Sequence, residues 1–286
     1  MPTFHHGRHE FGQNFLTDRA TLTKIKNLVA RTNGPIIEIG PGDGAITQHL
    51  ARLGRALTVI EIDPDRADRL RNRLQPTTEV VNTDFLTYHL PPAPHVLVGN
   101  VPFHLTTAIL RRILHAPGWT DAILLVQWEV ARRRAGVGGA TMMTTQWNPW
   151  FSFTLEGRVP SHAFTPRPSV DGGLLHIHRR PLPLLPLAQR RNFQDMVHRV
   201  YTSRGRGLAQ ILANTTFTTT QQSRAWLREV GLRPSDLPGR IPDDTWIDLY
   251  KTTGTSPPPG GERKTRRTRG RTEQSHQPRG RSRGRT

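Results

Sequence analysis

The segment Glu38-Ile-Gly-Pro-Gly-Asp-Gly44 follows an apolar run, Ile36–Ile39, and precedes a helical pattern. Closely spaced glycines at the C-terminal end of a strand let a ligand approach the backbone. Gly40-x-Gly42-x-x-Ala45 satisfies the loose dinucleotide fingerprint, a weak signal by itself. Charge points to a different ligand. Glu38 and Asp43 would repel a pyrophosphate, whereas S-adenosylmethionine has no phosphate and carries a sulfonium and an ammonium that carboxylates favour. Some twenty residues on comes Val59-Ile-Glu-Ile-Asp63, where an acidic side chain can hold both hydroxyls of a ribose. Glu61 is the candidate, because two carboxylate oxygens match two adjacent donors; Asp63, before Pro64, reads as a helix N-cap. Asn82-Thr-Asp84 follows. Asp84 can accept from an adenine amino group or close a local turn. The most specific segment is Gly99-Asn-Val-Pro-Phe103. It puts the Asn100 amide, a backbone carbonyl, the rigid Pro102 and the Phe103 ring in one loop. That set suits a planar base with an exocyclic amine: two oxygens accept from the amine hydrogens and the ring stacks on the base. Singly, Asn100 reads as a turn residue and Phe103 as a core aromatic; together, after a buried strand, they read as a catalytic set.

These loops need strands behind them, and the pattern supplies strands alternating with helices. A helix is predicted from Asp18 to Val29, with apolar Leu22, Ile25, Leu28 and Val29 on one face, broken by Asn33-Gly34-Pro35. Strands are predicted at 36–39, 56–62, 79–81, 95–98 and 122–126, and helices at 45–53, 64–74, 105–114 and 129–135. Such alternation indicates an α/β fold with a Rossmann-like, doubly wound, mostly parallel sheet. Two further strands, near 150–155 and 173–178, have no clear helix between them and are expected to pair antiparallel at one edge. Pro181, Pro183 and Pro186 mark a boundary. Beyond it the pattern is helical, at 187–201, 208–212, 222–230 and 243–250. The expected organisation is an N-terminal arm at 1–17, a cofactor-binding domain at 18–180, a small all-helical domain at 186–252 and a disordered basic tail at 254–286.

The 286 residues carry 40 Lys and Arg against 22 Asp and Glu, a net charge of +18, and no Cys. A polyanion such as nucleic acid is the partner that such a charge fits. Without Cys there is no disulfide framework, Cys-ligated zinc site, iron–sulfur cluster or thiol nucleophile. The tail holds ten basic and two acidic side chains and no aliphatic or aromatic residue. It cannot bury enough surface to order itself. Only four of the basic residues are Lys, a bias that a GC-rich genome or contact with RNA would each produce. The longest aliphatic run is Ala122–Val126, too short to span a membrane. The N-terminal Met1-Pro-Thr-Phe-His-His lacks the apolar region of a secretory signal, so the expectation is a cytoplasmic protein. His5, His6 and His9 offer metal ligands, but such a terminal cluster reads as a mobile polar arm.

Gly12-Gln-Asn-Phe-Leu16, Glu38–Gly42, Glu61-Ile-Asp63, Thr83-Asp-Phe85 and Asn100–Phe103 stand in the order found in rRNA adenine N6-dimethyltransferases. The chain resembles the Erm family, which methylates one adenine of 23S rRNA, and its KsgA-type relatives, which act on small-subunit rRNA. Gln127–Arg134, Gly136–Gly139, Trp147–Phe151 and Ser203–Gln210 are similar to actinobacterial Erm proteins. The resemblance implies a class I methyltransferase fold and S-adenosylmethionine as cofactor, contacted at Asn14, Leu16, Gly40, Glu61, Asp84 and Asn100. Asn14 and Leu16 rest on the resemblance alone. It implies catalysis by Asn100, Pro102 and Phe103 without a metal, and macrolide-lincosamide-streptogramin B resistance. The implied partner is 23S rRNA, nascent or unassembled rather than in the intact ribosome, met by a monomer, with no DNA and no membrane. Phosphate contacts are expected from Arg111, Arg112, Arg132, Arg133, Arg134, Arg204 and Arg206. The alternatives are a KsgA-type small-subunit rRNA dimethyltransferase and a non-catalytic RNA-binding protein on the same scaffold; the intact Asn100–Phe103 segment argues against the latter.

Overall fold

The computed structural model describes residues 14–253. Of the expected arm at 1–17, residues 1–13, with His5, His6 and His9, lie outside the described residues, as does the expected disordered tail at 254–286. The chain opens with a two-residue strand β1 (Phe15–Leu16) and helix α1 (Arg19–Ala30). Then follow β2 (Ile36–Ile39), α2 (Ala45–Ala51), β3 (Leu57–Glu61), α3 (Pro64–Arg73), β4 (Thr78–Asn82), β5 (His95–Asn100), α4 (Thr106–His115) and β6 (Trp119–Gln127). Helices α5 (Trp128–Arg134) and α6 (Met142–Trp147) lead to β7 (Phe151–Val159), the two-residue β8 (Phe164–Thr165) and β9 (Gly172–Arg179). Four helices close the described chain: α7 (Arg190–Thr202), α8 (Leu208–Thr215), α9 (Thr220–Glu229) and α10 (Asp243–Thr253).

Seven strands form one sheet in the order β4-β3-β2-β5-β6-β9-β7. The first five are parallel, and β9 and β7 add the antiparallel edge that the missing helix between them implied. The chain runs outward from β2 through β3 to β4, then crosses back to β5 on the other side of β2. Strand order therefore reverses between β2 and β5, and the crevice beyond their C-terminal ends is where an open α/β sheet binds ligands. Strands β5 and β6 are covered on both faces, so their sequences run apolar without alternation; Val96, Leu97, Val98 and Ile123–Val126 are all buried.

Two layers cover the sheet. On one face α1 contributes Leu22, Ile25, Leu28 and Val29, and α2 contributes Ile46 and Leu50. Asp18 caps α1 by accepting from the Thr21 N–H at 2.7 Å. Asp63 caps α3 by accepting from the Arg66 N–H at 3.2 Å, as its place before Pro64 suggested. On the other face α4 packs against a cluster that continues without a break into the C-terminal helices, through Trp119, Phe151, Phe193 and Trp246. The Gln146 and Gln194 side chains each donate to the other's backbone carbonyl, at 3.1 and 3.3 Å. The Tyr201 hydroxyl bonds the Thr145 hydroxyl and donates to the Ala140 carbonyl, both at 3.0 Å. These bonds run through α6, a helix that the sequence pattern did not suggest. Its polar run shows no apolar period; Thr141 caps it, accepting from the Thr144 N–H at 3.3 Å. Among the described residues no helix is long and apolar enough to cross a membrane.

Candidate active site

Two loops meet at the strand-order reversal. The first, after β2, holds Gly40, Gly42 and Gly44 at φ of 62°, 55° and 79°, left-handed values that other residues adopt at a cost. Gly42 has a second constraint: a Cβ there would lie 2.8 Å from the Phe15 ring. Beneath the loop the buried Glu61 side chain holds it from below. Its Oε2 accepts from the Gly42 N–H at 3.1 Å and its Oε1 from the Asp63 N–H at 3.0 Å. Each carboxylate oxygen keeps a second lone pair for a ligand hydroxyl. Glu38 behaves differently from its sequence reading. It is buried, and burial pushes its carboxyl up to about 8, helped by the Glu61 charge and opposed by Thr47. It is therefore neutral at pH 7 and does not contribute to repulsion of a pyrophosphate. That part of the charge argument rests on Asp43, exposed at the cleft wall, and on Glu61.

The second loop, after β5, brings the Asn100 amide beside the N-terminal segment. Strand β1 pairs antiparallel with β8, Phe15 with Thr165 and Leu16 with Phe164, which lays Asn14 across the crevice. The Asn100 Nδ2 donates to the Asn14 carbonyl at 2.7 Å. An amide's orientation follows from its hydrogen-bond partner, so Oδ1 is the end left for a ligand. The Pro102 carbonyl is engaged by the Leu105 N–H at 2.9 Å and the Thr106 hydroxyl at 3.4 Å. The Val101 N–H is held by the Leu125 carbonyl at 2.9 Å. Asn14, Leu16, Gly40, Asn100, Pro102 and Phe103 line one cleft. Glu61 lies directly behind its glycine wall. Asp84 stands one strand further out, where Thr83 donates to the Glu61 carbonyl at 3.0 Å; it does not line this cleft, and its Oδ1 accepts from the Leu86 N–H at 2.8 Å.

The sequence reading missed Phe15, whose ring lies against Gly42 and carries the Arg66 guanidinium 4.7 Å from its centroid. Phe15 stood inside the Gly12–Leu16 motif but was given no role there; the local signal was only the polar-to-apolar step Asn14-Phe-Leu16, and a two-residue strand is too short for a periodicity to show.

A glycine loop and an Asn-Val-Pro-Phe loop flanking one crevice of a parallel sheet agree with what the comparisons find: the family described as ribosomal RNA adenine dimethylase matches residues 4–252. The chain belongs to this family. A relative named rRNA adenine N-6-methyltransferase, from Corynebacterium diphtheriae, is 58% identical over 213 residues, 74% of this chain and 84% of that protein. The mycinamicin-resistance protein MyrB of Micromonospora griseorubida is 46% identical over 259 residues, 89% of this chain and 83% of its own. Among solved structures the 23S rRNA methyltransferase ErmE superposes with a TM-score of 0.77 at 33% identity, covering 84% of this chain and 99% of ErmE. The fold, the family and the enzyme class thus agree with the sequence reading.

The basic side chains expected to meet phosphates fall into two groups in this member of the family. Arg111, Arg133, Arg204 and Arg206 are exposed. Arg112 instead donates to the Tyr88 carbonyl, Arg132 pairs with Glu129 at 3.0 Å, and Arg134 donates to the Thr141 hydroxyl at 2.7 Å. Arg112 and Arg134 thus serve contacts within the fold, whereas the Arg132–Glu129 pair lies at the surface of α5. The sequence reading named all seven as candidates, because sequence spacing does not show which face of α4 or α5 turns inward.

Proposed function

We propose that this enzyme transfers methyl groups from S-adenosylmethionine to N6 of a single adenine in the peptidyl-transferase region of 23S rRNA, and that this modification confers macrolide-lincosamide-streptogramin B resistance. The observation that carries the reading is the Asn100 amide, held by the Asn14 carbonyl at 2.7 Å beside the glycine loop. When bound, the cofactor supplies an electrophilic methyl on a sulfonium. The residues present fit it: Gly42 leaves backbone open for close approach, Glu61 retains acceptor capacity for the ribose hydroxyls, and Asp84 stands at the next strand end for the adenine amino group.

The target adenine must leave its stack to reach the cleft. Its amine is a poor nucleophile because the nitrogen lone pair is delocalised into the ring. Asn100 Oδ1 and the Val101 carbonyl accept from the two amine hydrogens; the Pro102 carbonyl is already engaged within its own turn. This pairing favours a more tetrahedral nitrogen with its lone pair aimed at the methyl, while Phe103 stacks on the base. Rate then comes mainly from positioning, and the product proton leaves to water. Arg111, Arg133, Arg204 and Arg206 are free to meet phosphates, which set affinity and register rather than base choice.

The reading is tested with purified protein and methyl-labelled cofactor on protein-free transcripts. Label is expected at one adenine of 23S rRNA, rising to two methyls on that base. Label in the small-subunit transcript, or none, overturns it.

A further inference from the structure

At the end of the sheet away from the cleft, the start of β6 and the end of β9 run antiparallel, with Asp121 opposite His178 and Ile123 opposite His176. Side chains two apart on a strand share a face, so Asp121, His176 and His178 project together into a hollow at the end of α1, beside Leu28 and Arg31. Asp121 Oδ1 lies 2.9 Å from both His176 Nε2 and His178 Nδ1. One donor atom from each residue falls within 4.8 Å of the others. Strand β7 adds a fourth group. Its register shifts between Leu155 and Gly157, and a bulge of this kind re-aims a side chain. Glu156 Oε1 thereby stands 3.7 Å from His176 Nδ1.

His176 thus has a carboxylate at each ring nitrogen. A neutral imidazole carries one N–H and one lone pair, so it can donate to only one of them. At 2.9 Å Nε2 donates to Asp121 Oδ1, whereas Glu156 at 3.7 Å lies beyond hydrogen-bond reach of Nδ1; a metal taking the Nε2 lone pair would move that proton to Nδ1, on the side where the Glu156 carboxylate stands. A histidine whose second nitrogen is oriented by a carboxylate is the usual surrounding of a metal ligand. Two imidazoles and one carboxylate are a donor set for borderline divalent metals. Access is open: the His178 side chain is 43% exposed and that of His176 22%. The neighbouring Arg55 donates through Nε to the Gly34 carbonyl and through Nη1 to the Val29 and Thr32 carbonyls, while its Nη2 has no hydrogen-bond partner.

We propose that Asp121, His176 and His178 bind one divalent transition-metal cation of the zinc type, with the Glu156 carboxylate facing the second ring nitrogen of His176. The site ties β6 to β9 at the antiparallel edge. It takes no part in methyl transfer, since Asn100 pairs with Leu125, four residues up β6 from Asp121, a distance of about 13 Å along the strand.

The test uses the full chain with His5, His6 and His9 changed to Gln, so that the terminal imidazoles do not compete. Titration with Co²⁺ should load one ion per chain with visible d–d absorption, and Zn²⁺ should displace it. Zn²⁺ at a hundredfold excess over its dissociation constant should raise Tm by roughly 5–10 °C. His176→Gln with His178→Gln should abolish the absorption and the Tm rise. If that pair fails to fold, the single, more exposed His178→Gln should weaken binding at least tenfold. Absence of metal binding in the parent, or equal binding and an equal Tm rise in the variants, overturns the proposal.

Discussion

Changing Glu61 to Gln keeps the volume of the side chain and removes one of its two acceptor ends. In the structure both ends are in use: Oε2 takes the Gly42 N–H at 3.1 Å and Oε1 takes the Asp63 N–H at 3.0 Å. A Gln oxygen can serve one of these, and the NH₂ then faces the other N–H, donor against donor. One buried N–H is left without an acceptor, which costs about 1–3 kcal/mol of stability. The cofactor loses a charged acceptor for its ribose as well, worth about 1.5–3 kcal/mol. That corresponds to a dissociation constant weaker by roughly 10- to 150-fold. RNA affinity should stay as it is, because Glu61 is buried behind the loop. Calorimetric titration with S-adenosylmethionine, with thermal melting and filter binding to RNA as controls, reads all three quantities. A cofactor dissociation constant within twofold of wild type would refute the reasoning and place the ribose on another acid. Equal loss of RNA and cofactor binding would mean that the variant acts by unfolding the loop alone.

Glu38 should make stability fall as pH rises. Its folded-state carboxyl is raised from 4.5 to about 8, so the native state holds more protons between those values, and its contribution, full below 4.5, is lost as pH passes through 8. Melting temperatures across pH 5–8 should fall less for Glu38→Gln than for wild type; parallel curves would show that Glu38 does not titrate in this window. Gly42→Ala should cost about 1–2 kcal/mol for its left-handed backbone and displace the Phe15 ring, weakening cofactor binding; denaturant melts and calorimetry check both, and an unchanged cofactor affinity would show that the ring has room to move. Truncation after Gly254 should leave melting unchanged and flatten the salt dependence of RNA binding, by about 0.7 in log–log slope for each phosphate of single-stranded RNA that the tail neutralises. An identical slope would show that the tail arginines do not touch RNA.

The parallel sheet was readable because its central strands are buried on both faces and separated by glycine and proline signals; Ile36–Ile39 and the Asp63 cap stand where their residue types put them. The two cleft loops were readable for a related reason: backbone exposure, an amide and an aromatic ring after a buried strand have few uses. What remained illegible depends on distance in the chain. The Asn14 carbonyl reaches Asn100 across 86 positions, and no local pattern announces a backbone acceptor. The neutral state of Glu38 depends on burial that a charge count treats as solvent. The structural duties of Arg112 and Arg134 depend on which side of a short helix meets its neighbour. Helix α6 escaped because a run of Thr and Met lacks an apolar stripe, and its stability comes from the aromatic cluster around Trp147 and Phe151.

The central claim is that the Asn100 loop methylates N6 of one adenine in 23S rRNA. Its most direct test is mass spectrometry of 23S and 16S rRNA from cells carrying the gene, with the modified base mapped by a reverse-transcription stop, for wild type and Asn100→Ala. Relative to cells without the gene, wild type should add N6-methylated adenine at one position in the peptidyl-transferase region of 23S rRNA and none in 16S rRNA. Loss of an oriented polar group costs about 3 kcal/mol of barrier, so the folded Asn100→Ala protein should leave that position at least a hundredfold less modified at limiting times. Gene-dependent modification of 16S rRNA in place of 23S, or wild-type modification by Asn100→Ala, would contradict the account.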